Sequence, residues 1–190
     1  MSHFQIDIMD MQEFNRQFQS KMQEIQQFVE GDEIKDIAGV EAVNHFQESF
    51  DNEGFTDETL EPWDDVARRD PNSPWYGHSG FSSEKSNKKS NKRDTKLVGK
   101  FSQARATAKI LRGETSELRN SIDYKHTEKG VRVTSPTPYG RVHQFGLQSK
   151  IYGKGEFTQK KRPFMGKSKL LKANIEDKIK REIIKILTKK

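Results

Sequence analysis

Histidine is the residue best suited to acid–base chemistry at neutral pH, because only imidazole changes charge there unaided. The chain has five: His3, His45, His78, His126 and His143. They are scattered, and no two stand four apart in the His-Glu-x-x-His pattern that presents two zinc ligands on one helical face. His143 is distinctive for its setting, Tyr139-Gly140-Arg141-Val142-His143-Gln144-Phe145-Gly146. Its imidazole is expected to hydrogen-bond backbone and fix a turn, since no neighbouring nucleophile or carboxylate completes an acid–base set. Glu61, Asp64 and Asp65 form a carboxylate group beside Pro62, which fits a solvated turn better than a metal site. Glu114 and Glu117, with Thr115 and Ser116 between them, suit a turn or cap. There are no cysteines, which removes thiolate nucleophiles, disulfides and cysteine-based zinc sites together. The chain is therefore expected not to be an enzyme, and to hold neither cofactor nor metal.

Phosphate binding is the other chemistry to weigh. Residues 1–70 carry 18 acidic and 5 basic side chains, a balance of −13; residues 71–190 carry 29 basic and 10 acidic, a balance of +19. The two sum to the net charge of +6. Between Ser82 and Arg112 there are 10 basic and 2 acidic residues. Lys88, Lys89, Lys92 and Arg93 lead this run as candidate contacts to phosphates, in a polar stretch of low complexity. Trp75, Tyr76 and Phe81 precede it, an arrangement that superficially suits stacking on single-stranded nucleic acid. The same polarity equally allows the acidic end of one copy to meet the basic end of the next. A head-to-tail contact of that kind closes into a ring when the rotation allows.

The elements that must position these residues follow from apolar spacing. Only 31% of the 190 residues are hydrophobic and 33% are charged, so the apolar supply is thin for one domain. Met11, Phe14, Phe18, Met22, Ile25 and Val29 fall on one stripe of a helix over residues 10–30, capped by Asp10 and stopped by Gly31. Ile37, Val40, Val43, Phe46 and Phe50 predict a second helix over 36–50, ended by Asn52-Glu53-Gly54. Glu61-Pro62-Trp63 is a stiff turn presenting an indole as a core or cover residue. Residues 70–95 are expected to be a basic loop, and Lys96–Leu111 a short helix. Strands are predicted over Leu118–His126 and Val131–Thr134, joined at Glu128-Lys129-Gly130. Tyr139–Phe145 reads as a turn or two of helix stopped by Gly146, and 147–161 as a basic loop or loose hairpin. Leu171, Ile175, Ile179, Ile183, Ile186 and Leu187 mark a final helix over 168–187. The expected fold is α+β, a small antiparallel β-sheet packed with long N-terminal and C-terminal amphipathic helices. Residues 1–35 are expected to form a helical arm and 36–190 the α+β domain, with its variable basic loop at about 70–95. No apolar run approaches the roughly 20 residues that span a bilayer, and the N-terminus lacks the pattern of a secretory signal.

Several stretches together resemble the phage virion morphogenesis proteins, the tail completion family of Mu-like phages and prophages. The resemblance starts at Asn44-His45-Phe46-Gln47, Gly54 and Trp63. It continues through Ile110-Leu111 and Leu118-Arg119-Asn120-Ser121-Ile122. Its most specific part is His143-Gln144-Phe145-Gly146, preceded by Tyr139 and followed by Arg162-Pro163-Phe164-Met165-Gly166. Two departures stand out: Ser116 replaces the glycine of the family's Thr-Gly, and Gly140 the alanine that follows its tyrosine. The resemblance implies a structural subunit of the virion at the head–tail junction, made in the host bacterial cytoplasm. It implies self-assembly into a ring, a hexamer by analogy, with phage neck, connector or tail-tube proteins as partners and neither membrane nor cofactor. Tyr139, His143, Gln144, Phe145, Gly146, Arg162, Pro163, Phe164 and Gly166 would form a structural and assembly motif. Within it Tyr139, Phe145 and Phe164 are expected to cluster, and Arg162 to fork onto a carboxylate. A nucleic-acid-binding protein using residues 82–112 is the main alternative; a nuclease or peptidoglycan hydrolase is a third reading.

Overall fold

Helix periodicity and caps translate directly into the long elements. In the computed structural model, which describes residues 10–84, 96–113, 115–150 and 156–189, α1 spans Met11–Glu30 and α2 spans Asp32–Asn52. Asp10 caps α1, its Oδ1 accepting the Gln12 amide at 3.1 Å. The last helix, α6 (Lys169–Thr188), starts at Ser168, whose Oγ accepts the Leu171 amide at 3.1 Å. The described strands form four separate antiparallel pairs. These are β1–β2 (Gly54–Thr56, Leu60–Pro62), β3–β4 (His78–Glu84, Lys96–Phe101), β5–β6 (Asp123–Thr127, Gly130–Thr134) and β7–β8 (Gln148–Lys150, Glu156–Thr158). The fold is α+β, with its strands in hairpins rather than in one sheet.

Three sequence expectations are corrected, the first because β3 (His78–Glu84) lies within the stretch 70–95 expected to be a loop. Lys96–Leu111 is not a helix: its first six residues are β4, and only Gln103–Thr107 (α3) is helical. The switch falls at Ser102, which caps α3 by accepting the Arg105 amide at 3.4 Å. The strand expected from Leu118 begins only at Asp123, because Glu117–Asn120 forms a short helix, α4. The remaining short helix, α5, is Gly140–Phe145, as expected after Pro138.

The chain divides into two units, with the boundary inside α2 after His45. The first contains the described residues of 1–45, 123–134 and 168–190. Here α1 packs on α6, and Lys21 Nζ donates to the carbonyls of Ile186 (3.2 Å), Leu187 (2.7 Å) and Lys189 (2.6 Å), a cation placed on the negative end of that helix. The β5–β6 hairpin seats Tyr124 against Gly39 of α2; a Cβ there would stand 2.2 Å from the ring. Asp36 accepts from the Tyr124 hydroxyl at 2.9 Å and pairs with His126 at 2.8 Å. The Tyr124 hydrogen bond, then that of His126, holds the Asp36 carboxyl below the usual range. Phe28 is buried, whereas Met11, Phe14, Phe18, Met22 and Val29 are 46–66% exposed. The apolar stripe of α1 is thus largely uncovered.

The second unit holds the described residues of 46–122 and 135–167. Its core is aromatic: Phe46, Phe50, Phe55, Trp63 and Phe164 are all buried, beside Ile110, Leu118 and Ile122. Phe50 meets Trp63 edge-on at 5.6 Å and Phe164 at 5.1 Å, geometries that add to plain area burial. No described helix is long and apolar enough to cross a membrane.

Candidate functional site

The two glycine-closed motifs come together in the second unit. Helix α5 ends at Gly146, whose φ of +66° is the left-handed conformation that glycine adopts without steric cost. The preceding residue but one, Gln144, reaches across to the segment Arg162–Gly166. Its Oε1 accepts the amides of Phe164 (3.0 Å) and Met165 (3.2 Å), and its Nε2 donates to the Met165 carbonyl at 2.6 Å. One primary amide thereby does for this turn what a neighbouring strand would do.

The rest of the turn is held the same way. The Arg162 amide donates to the His143 carbonyl at 2.7 Å. Trp63 Nε1 donates to the Pro163 carbonyl at 2.7 Å, and Ser49 Oγ to the Phe164 carbonyl at 3.3 Å. Phe164 is 1% exposed and anchors the turn in the aromatic core. Pro163 fits because it has no amide hydrogen to satisfy and its ring fixes φ. A Cβ on Gly166 would meet the Phe55 ring at 3.3 Å.

Three expectations about these residues change. Phe164 clusters with Phe50 and Trp63, whereas Phe145 is 58% exposed and Tyr139 is 38% exposed. Tyr139 instead donates its hydroxyl to Glu117 Oε2 at 2.8 Å and meets His143 edge-on. Arg162 does not fork onto a carboxylate: it is 4% exposed and its Nη2 donates to the Asp64 carbonyl at 3.0 Å. The carboxylate of Asp64 is drawn instead to Lys160 at 3.2 Å, out in solvent. His143 fixes the turn through its backbone carbonyl, while its imidazole Nδ1 lies 3.1 Å from Gln159 Nε2. An amide nitrogen only donates, so Nδ1 accepts and the ring proton sits on Nε2. Burial, and secondarily the Arg162 charge, lowers the His143 pKa and keeps the ring neutral. Lys88, Lys89, Lys92 and Arg93 lie outside the described residues.

A second constellation escaped the sequence reading. Glu53 follows α2 with φ +53°, and its carboxylate takes two hydrogen bonds from Arg69 and one from the Ile110 amide at 2.5 Å. The Arg69 bond, first among the causes, pulls the Glu53 pKa down. Arg68 and Arg69 also donate to the carbonyls of Arg105, Ala108 and Lys109, closing the C-terminal end of α3. The adjacent Arg-Arg pair was visible, but its targets lie about forty residues on and follow no spacing rule.

Beneath α5 and the turn opens a cleft of about 820 Å³ walled by Arg68, Arg105, Lys109, His143, Gln159 and Arg162, together with small apolar residues. Among the described residues, no aspartate or glutamate lines it, and no group of three His, Cys, Asp or Glu side chains is placed to hold a metal. The hydroxyls of Ser79 and Ser102, which also line it, bond to the Lys100 carbonyl and the Arg105 amide rather than to His143. The lining of the cleft is positively charged.

Neither a curated relative nor a solved structure matches the chain. The model of one family does, over residues 76–183, which takes in β3–β4, α5, the Arg162–Gly166 turn and most of α6 and leaves Asn44–Trp63 outside. With that match covering more than half its length, the chain belongs to the phage virion morphogenesis family.

Proposed function

We propose that this protein is a structural subunit which completes or joins the phage tail at the head–tail junction, and that it does so by assembling into a ring. Family membership supports a role in building the virion. The observation that carries the ring is the uncovered stripe of α1, where Phe14 and Phe18 stack at 6.2 Å while each remains about half exposed. An apolar stripe left exposed in this way marks a surface for a partner chain. Burying each of those side chains against a neighbouring copy contributes on the order of 1–2 kcal/mol. The charge split between residues 1–70 and 71–190 supports a head-to-tail order of subunits. Neck, connector or tail-tube proteins are the expected further partners, the virion the expected location, and the host cytoplasm the place of assembly.

Mass measurement in solution across a salt series tests the proposal. Oligomers are expected at low salt, shrinking as screening weakens acidic-to-basic contacts. Phe14→Ser with Phe18→Ser should lower the mass at every salt concentration. A protein that stays monomeric at high concentration and low salt, with no affinity for neck or tail components, refutes it.

A further inference from the structure

The cleft under α5 is more than a gap in the packing. Arg162 is 4% exposed, yet among the described residues its Nε has no hydrogen-bond partner and no carboxylate bonds to its guanidinium, although those of Asp64 and Asp65 act on it from further off. Nature rarely leaves a buried cation so poorly compensated, because charge taken from water needs a counter-charge or a full set of acceptors. The surrounding wall adds Arg68, Lys109 and exposed Arg105, with no acidic residue among the described ones. Both His143 and Arg162 have lowered pKa values with burial as the first cause. Among the described lining residues positive charge is in excess, and an incoming anion would relieve it.

The shape of the wall narrows the class of anion. Val66, Ala104, Ala108, Ile110 and Leu111 contribute apolar surface between the cations. Such a mixed lining fits an aliphatic stem that ends in a carboxylate. It fits poorly a duplex, whose phosphates form a convex ribbon that meets exposed lysines and arginines rather than a recessed one. The same chain supplies a candidate occupant in α1, whose exposed Asp10 cap, Glu13, Glu24 and Glu30 flank an uncovered apolar stripe.

From this we infer that the cleft is a receptor for an acidic peptide segment, supplied during assembly by α1 of a second copy. The inference rests on the ring reading for the source of the peptide, though not for its chemistry. The Arg105 and Lys109 rim would capture carboxylates first, and the apolar wall would hold their stems. Gln159 and the Nε2–H of His143 are the neutral donors that would complete the site.

The test uses the full chain with hexaglutamate as probe, and with a 20-base-pair duplex and inorganic phosphate as competitors. Binding is followed by calorimetry and by the His143 ring resonances. Hexaglutamate should bind, shift His143 and lower the oligomer mass by competition. Arg105→Glu, at an exposed position, should keep the wild-type melting temperature and weaken binding roughly tenfold or more. Unchanged affinity in Arg105→Glu, or a silent His143, overturns the inference. Tighter binding of the duplex at this same site, or equal displacement by inorganic phosphate, also overturns it. Rings that form normally in Arg105→Glu and ignore hexaglutamate remove the peptide site and leave the ring reading standing. A monomeric wild type that binds hexaglutamate in the cleft supports the site and sinks the ring.

Discussion

Replacing Gln144 by alanine deletes one side chain and three hydrogen bonds, at 3.0, 3.2 and 2.6 Å. Each bond contributes about 1 kcal/mol net, but the groups left behind decide the size of the loss. The Phe164 amide sits on a residue that is 1% exposed, so water reaches it poorly once Oε1 is gone. An unsatisfied buried amide costs about 1–3 kcal/mol, which brings the expected destabilisation to roughly 3–5 kcal/mol. For a chain of this length that is a fall in melting temperature of about 6–20 °C. Urea unfolding followed by tryptophan fluorescence is the assay, because Trp63 donates to the same turn. Gln144→Glu is the informative control. It keeps the acceptor for both amides and turns the 2.6 Å donation to the Met165 carbonyl into a contact between two acceptors, so whatever stability it retains over alanine reports the two amide bonds. If Gln144→Ala unfolds within about 0.5 kcal/mol of wild type, the turn does not depend on this amide and the two motifs are not coupled in the way described.

Ser116→Gly should stabilise the protein by about 0.5–1 kcal/mol, because Ser116 holds a left-handed φ of +53° that glycine adopts without strain, less the entropy glycine gains when unfolded. Thermal unfolding checks this, and a loss of stability would refute it. Gly39→Ala should cost about 1–3 kcal/mol by driving a Cβ into the Tyr124 ring. Tyr124→Ala in the same chain should then remove most of that penalty, a coupling read from a double-mutant cycle. Acid should erode stability through Glu53. Its folded-state pKa is lowered, so its contribution is present above the ordinary glutamate pKa and disappears as pH falls through the folded value. Urea titrations between about pH 6 and 3 should show a shallower acid limb in Glu53→Gln; an identical limb would show that the Arg69 pair does not drive it.

The long helices were legible because their information is local. Asp10 and Ser168 are caps with side-chain acceptors, and apolar residues three and four apart define each stripe. Gly146 likewise stops α5 where the sequence places it. Lys96–Leu111 failed because the helix-favouring glutamine, alanine and arginine all lie after Ser102, and Lys96-Leu97-Val98-Gly99-Lys100-Phe101 before it contains none of them. Leu118–Ile122 failed for the converse reason: isoleucine and the alternation suggested a strand, while Glu117-Leu118-Arg119-Asn120 had the composition of a helical turn. At the candidate site, the residue types were visible and their partners were not. Gln144 and Phe164 stand twenty residues apart, and Trp63 and Pro163 a hundred. Glu53, Arg69 and Ile110 converge over 16 and 57 residues. Nothing in the chain's periodicity encodes such meetings, which arise only once the aromatic core has formed.

The segment Arg162–Gly166 belongs to no helix and no strand, and its behaviour over time should contradict that classification. Its amides at Arg162, Phe164 and Met165 are engaged, Pro163 has none to lose, and the carbonyls of residues 163–165 are held by three different parts of the unit. Deuterium should therefore enter these amides as slowly as it enters the buried turns of α2, since releasing them requires the aromatic core to open. The neighbouring hairpin β7–β8, joined to the same turn, carries mostly exposed side chains and should exchange far sooner. A map of exchange rates along the chain would place a stretch of coil among the slowest residues of the protein.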